Sequence, residues 1–421
     1  MKGVFSYNEN TFLKLDTLTT RSNAQYASKL MLIQDTLLFV GYGASEIATF
    51  TQKEYFLNVA SLARYSPYLF ANYVKNQKIT LTKEASESDA TYSGELGHVP
   101  FSIRIDKETS LINEIDVLSY DPLYGDVETA YLYQDYDTKS SHPFPQQVIV
   151  KNISGHVIDS LAISQAASGL NSDLIGKPDK YEFAGEPEET SKEVVVQKYN
   201  DYLHLIELKH EDDRVMVVEF DDYMLVADAP INSENGELII EEVRKIAPFK
   251  PIKYFAVGHH HPHYIGGIRA FVHKGATVLS SDANEEYVRF ITGASHKLQP
   301  DSLEMEPKKL LYQPVQDSLS LDNGVKMTIY FIGDQSAHAE DFLIFHFPED
   351  KILFQDELCW IPEKGEITPA SGRQKGLYNS IVALNLDVET IIQSWPIQNY
   401  GVASIIPFED LEKSIDLVTE N

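Results

Sequence analysis

A single cysteine, Cys359, stands in a chain of 421 residues. It has no partner for an internal disulfide, and it cannot build a thiolate cage for zinc. Any metal must then be held by histidine and carboxylate. A protein without disulfides can work on either side of a membrane, so cysteine leaves the compartment open. Long apolar runs are missing as well: none reaches the roughly 18 residues that a membrane-spanning helix needs. The opening stretch from Met1 to Asn8 lacks the apolar core of a secretion signal. With such a signal removed beforehand, an extracytoplasmic location is expected in preference to a cytoplasmic one. Positive charge is scarce, 35 Lys and Arg against 63 Asp and Glu, for a formal net charge of −28. A field of that sign repels phosphate backbones and anionic lipid surfaces. No nucleic-acid partner is expected, and a small-molecule substrate or ligand remains. The oligomeric state is not legible.

What the chain does have is length, with 43% hydrophobic and 11% aromatic residues to fill more than one core. Two domains are the expectation at this size. Residues 1–168 read as a β-rich N-terminal domain with helices. The stretch from 8 to 78 reads as mainly helical, with Phe56, Leu57, Val59, Ala60, Leu62 and Ala63 forming a stripe. Beyond it the period changes to two, clearest in 101–106 and 148–150, and 111–117 alternates straight after a polar turn, which predicts an antiparallel β-sheet. Residues 169–192 are rich in Gly, Pro, Asp and Glu and predict a linker. From 193 to 421 strands and helices mix. Strands are predicted at 202–208, 215–220, 223–230, 252–258 and 277–280, and helices at 237–246 and 268–273.

The strand at 252–258 ends in a glycine and delivers four histidines, His259, His260, His261 and His263. In extended chain alternate side chains share a face, so His259, His261 and His263 can converge while His260 points elsewhere. Gathered imidazoles suit zinc or a similar borderline-soft ion. A solvated His-rich loop is the plainer alternative.

Several motifs in order now make residues 194–421 resemble the metallo-β-lactamase fold superfamily. They are Asp228 closing a strand, His259-His260-His261-Pro262-His263-Tyr264-Ile265-Gly266-Gly267, His338 before a strand, Asp356-Glu357 after Leu353-Phe354-Gln355, and Trp395 after Ile391 to Ser394. The resemblance implies a C-terminal αββα sandwich, which together with the N-terminal antiparallel β-sheet and helices read from the periodicity makes an α+β protein of two domains. It implies that His259, His261 and His338 keep the first metal position, with a fourth place open for water. The second position is degenerate, because the places of its Asp, His and final His hold His263, Tyr264 and Trp395. Glu357 falls where the family has a bridging acid, with Asp356 in the glycine's place. The implied cofactor is therefore one zinc ion. His263 stands where an Asp orients water, and it can serve as a further ligand or as a general base. Asp228 either accepts the distal N–H of a ligand histidine or simply ends its strand in a turn. Tyr264 either hydrogen-bonds a metal-bound oxygen or packs beside Gly266. The implied activity is a water-activating hydrolase of ester, lactone, amide or thioester carbonyls. The alternative is a catalytically inactive protein of this fold acting as a binding module.

Overall fold

The computed structural model describes residues 2–8, 11–19, 25–33, 36–41, 46–50, 52–139, 143–164, 181–183, 192–398 and 400–419. They form two compact units, one built from 1–120 and 126–189, the other from 121–125 and 190–421. Most of the expected linker, 169–192, lies outside the described residues.

The first unit holds two sheets. One is a meander of Lys2–Asn8, Thr11–Thr19, Gln25–Ile33, Thr36–Gly41 and Glu46–Thr49, joined in parallel by Glu182–Phe183. This corrects the helical expectation for the described residues among 8–49. In Thr11–Thr19 the alternation of Leu13 and Leu15 with Lys14 and Asp16 is a period of two, and both edges of that strand are paired. Among the described residues helix begins at Gln52–Ala60 and resumes at Pro67–Asn76, where proline at the first position costs no hydrogen bond. The second sheet is a seven-stranded meander from Thr82–Ala85 to His156–Ala162. Val59, Leu69, Phe70 and Val74 of the helical segment pack with Phe101, Ile103, Ile115 and Val148 of that sheet.

The second unit is built in four layers. Its first sheet runs Val194–Lys198, Leu203–Leu208, Asp213–Glu219, Met224–Ala227, Ile252–Ala256, Thr277–Ser281, Leu311–Val315. The second runs Ser318–Asp322, Lys326–Phe331, Leu343–Phe347, Ile352–Gln355, Thr390–Gln393, Ile405–Pro407. Alternation along Asp213–Glu219 shows why the layers form. Met216 and Val218 face the second sheet with Ile329, Phe345 and Phe354, while Val215 and Val217 join an outer core. Helix Ser233–Ile246 covers that outer face with Ile239, Ile240 and Val243, a stripe that only helical spacing produces. Asn232 caps the helix, its side chain accepting the Asn235 N–H at 2.9 Å. Gly236 in its first turn is required by space, since a Cβ there would lie 2.5 Å from the Gly267 carbonyl. On the far side, Leu377 and Ile381 of Gly372–Ala383 and Leu411 of Phe408–Thr419 pack on Ile344, Leu353 and Ile391. The expected αββα sandwich is thus observed, with strand and helix positions close to those predicted.

Candidate metal centre

The strand Ile252–Ala256 stops where the Gly258 carbonyl accepts the Leu343 N–H, a 2.7 Å bond between the two sheets. Gly258 has no side chain for a physical reason: a Cβ would stand 2.1 Å from the Asp356 carboxylate oxygens. That close approach lets Asp356 reach His259. The His259 Nδ1–H donates to Asp356 Oδ2 at 2.6 Å, and both side chains are wholly buried. Asp356 follows the strand Ile352–Gln355, so two strands of different sheets meet at this bond.

His259, His261, His338 and Glu357 form one group whose donor atoms lie within 4.8 Å of one another. Glu357 Oε1 is 3.4 Å from His259 Nε2, 3.2 Å from His261 Nδ1 and 2.7 Å from His338 Nε2. Donors bound at about 2.0–2.1 Å around a tetrahedral ion stand about 3.3 Å apart, so two of these spacings match and the third is tighter. The test of fit is His259. Its Nδ1 proton is committed to Asp356, and its buried Nε2 has no hydrogen-bond partner. A lone pair aimed at a carboxylate oxygen calls for a cation between them, and the donor set of three imidazoles and one carboxylate suits zinc.

The neighbours hold this group in place. His338 follows Ala337, a left-handed residue at φ 53°, and Ser336 Oγ accepts the N–H groups of His338 and Ala339, each at 3.1 Å. Arg373 Nη1 donates to Glu357 Oε2 at 3.2 Å. Burial works against ionising Glu357, but the three histidine rings turned toward it outweigh that and hold the carboxyl well below its ordinary range. His260 points away, as its position implies, and donates to Asp341 at 2.8 Å; that bond raises its pKa.

Three expected residues take other places. His263 lies outside the four-residue group, and its Nδ1–H is given to Asp213 Oδ2 at 2.8 Å. Burial pushes the Asp213 carboxyl up to about 7, against the pull of His263. The His263 pKa is raised: burial lowers it, and the bond and charge of Asp213 more than reverse that. Asp228 accepts the Gly258 N–H at 3.1 Å. The carboxylate that orients His259 is Asp356, and Asp228, its pKa raised by burial and by the Asp356 charge, lies behind it. Tyr264 is 1% exposed, with its ring 4.5 Å from that of His259. Trp395 is half-buried, 5.4 Å from the His263 ring. Sequence reasoning missed Asp213, Arg373 and Ser336. Only Ser371-x-x-Gln374, the capping box of helix Gly372–Ala383, offered a signal for the placing of Arg373.

A three-imidazole and carboxylate cluster at one end of two facing sheets, with helices on both outer faces, defines the class: the half from 190 onward resembles the metallo-β-lactamase fold. No family model matches the chain, and no curated protein does. Solved structures similar to it include a metallo-β-lactamase from Pontibacter korlensis, 15% identical over 54% of this chain and 100% of that one, with a TM-score of 0.40. The mono-zinc form of FIM-1 from Pseudomonas aeruginosa is 17% identical over 54% and 95%, with a TM-score of 0.40. A metallo-β-lactamase from Hirschia baltica is 18% identical over 54% and 98%, with a TM-score of 0.38.

Proposed function

We propose that the C-terminal unit is a hydrolase of carbonyl compounds that uses one zinc ion held by His259, His261, His338 and Glu357. The observation that carries this reading is the buried, unpartnered Nε2 of His259 facing Glu357. Zinc bound to such a set supplies Lewis acidity and lowers the pKa of water. Asp356 fixes the tautomer of His259 and raises its basicity. Arg373 draws the second oxygen of Glu357 to itself, which keeps that carboxylate from turning freely. His263, its Nδ1–H held by Asp213, has Nε2 to take a proton from attacking water and return it to the leaving group. Tyr264 packs against His259 and supports its ring.

One observation favours a second reading, an inactive binding module of the same fold. Glu357 makes a fourth protein donor, and closed four-donor zinc sites are structural more often than catalytic. Metal content and turnover separate the two. Untagged protein is expected to carry close to one zinc per chain, lost in His259→Ala, and the loaded protein to hydrolyse an ester, thioester, lactone or lactam in a chelator-sensitive way. Failure to take up zinc, or two equivalents that survive dialysis, overturns the proposed centre. One equivalent without turnover on any of these carbonyls establishes the binding module instead.

A further inference from the structure

The chain has two tryptophans, and both are bonded to the backbone of the Asp356-Glu357 pair. Trp360 and Trp395 have ring centroids 5.6 Å apart at 62°. Tyr400 completes a triangle, 5.9 Å from Trp360 and 5.0 Å from Trp395. Each tryptophan is tied to the acidic pair at the centre. Trp360 Nε1–H donates to the Glu357 carbonyl at 2.9 Å, and the Trp395 backbone N–H donates to the Asp356 carbonyl at 3.0 Å. Yet the rings are not core. Both tryptophans are only half-buried, and Tyr400 is 56% exposed.

We propose that Trp360, Trp395 and Tyr400 form a recognition wall for a flat π ring, which makes neutral aryl esters and amides the substrate class of the neighbouring centre. The wall's link to a carbonyl reaction rests on the hydrolase reading; its affinity for a ring does not. Large aromatics set edge to face leave faces and edges on which a further ring gains contact that a saturated group does not. A sugar is a poor fit because nearby polar groups are already used. Asp212 Oδ1 accepts the N–H groups of Ile397 and Gln398, at 3.2 and 2.8 Å, and the Gln398 side chain donates to the Lys209 carbonyl at 2.9 Å. An anion meets a chain of net charge −28.

Because both tryptophans are at the wall, the emission of the whole protein reports its occupancy without a label. Full-length protein is titrated with benzamide and with cyclohexanecarboxamide, metal-free and zinc-loaded. A saturable change is expected, with the phenyl compound bound about fivefold more tightly than the saturated ring. Tyr400→Ala leaves both fluorophores in place and is expected to weaken benzamide about threefold, while Tyr400→Phe retains the affinity. Equal affinity for the two amides, a change that does not saturate, or undiminished binding by Tyr400→Ala overturns the wall. Ring preference in a protein that takes up no zinc upholds the wall and removes the hydrolase. Zinc-dependent turnover without ring preference removes the wall alone.

Discussion

The proton that His259 gives to Asp356 decides what its other nitrogen can do. With Nδ1 committed, Nε2 is a buried lone-pair donor, and the same logic makes Asp356 part of the centre without being one of its donors. Asp356→Asn is therefore expected to lower zinc affinity by roughly 10–100-fold, as loss of such a supporting carboxylate does. His263→Ala is expected to leave the stoichiometry at one, since it stands outside the four-donor group. Competition with a chromophoric chelator measures both; an unchanged affinity in the first, or a lost equivalent in the second, contradicts the arrangement. His259, His261 and His338 were legible in the sequence because their spacing and the strand before them fix their direction. Which acid meets His259 was not legible. Asp228 and Asp356 each end a strand, and only the packing of one sheet on the other selects between them. Asp213 opens a strand with no neighbouring signal, and its pairing with His263 crosses 50 residues.

Among the elements, the helix that bears Arg269 shows how a buried charge is held. In Ile268–His273, Arg269 sends Nε and Nη2 to Asp301 at 2.6 and 3.0 Å, while Nη1 donates to the carbonyls of Ile291, Thr292 and Ala294. Asp301 also caps Ser302–Met305 by accepting the Glu304 N–H at 2.8 Å. Burial works to raise this carboxyl, but the Arg269 fork and the cap prevail and bring it down to about 2. Its folded pKa is thus below the unfolded value of roughly 3.9. The contribution is present in full above that unfolded value and lost as pH falls from about 4 through 2. A shift of this size is worth about 2.6 kcal/mol at most. Asp301→Asn keeps a cap but loses the fork, so urea unfolding should show it less stable by up to that amount at pH 5, with the gap closing toward pH 2. A gap that does not change with pH would sink the assignment. Element type was legible where a stripe or alternation was long, as in 233–246 and 213–219. It failed over residues 8–49, where strands follow one another closely and apolar doublets such as Phe12-Leu13 and Leu37-Leu38 blur the period of two.

At the scale of the whole molecule, a net charge of −28 and two compact units set how the protein responds to metal. Every donor of the proposed centre belongs to the second unit, and so do the strands that aim them. The first unit has its own apolar core, from Leu30 to Val150. If each core melts cooperatively by itself, calorimetry of the full chain shows two transitions. A ligand that binds only the folded form stabilises it by about 2.7 kcal/mol at a free concentration of 100 times Kd. In a unit of roughly 150–250 residues each kcal/mol moves the midpoint by about 2–4 °C, so zinc should raise one transition by about 5–11 °C and leave the other where it is. The shifted transition should be the one retained by a fragment that starts at the expected boundary near residue 190. His259→Ala should abolish the shift without moving the second transition. A single transition that zinc raises as a whole would mean that the two units unfold together, and equal shifts of both would place the metal's influence outside the four residues named.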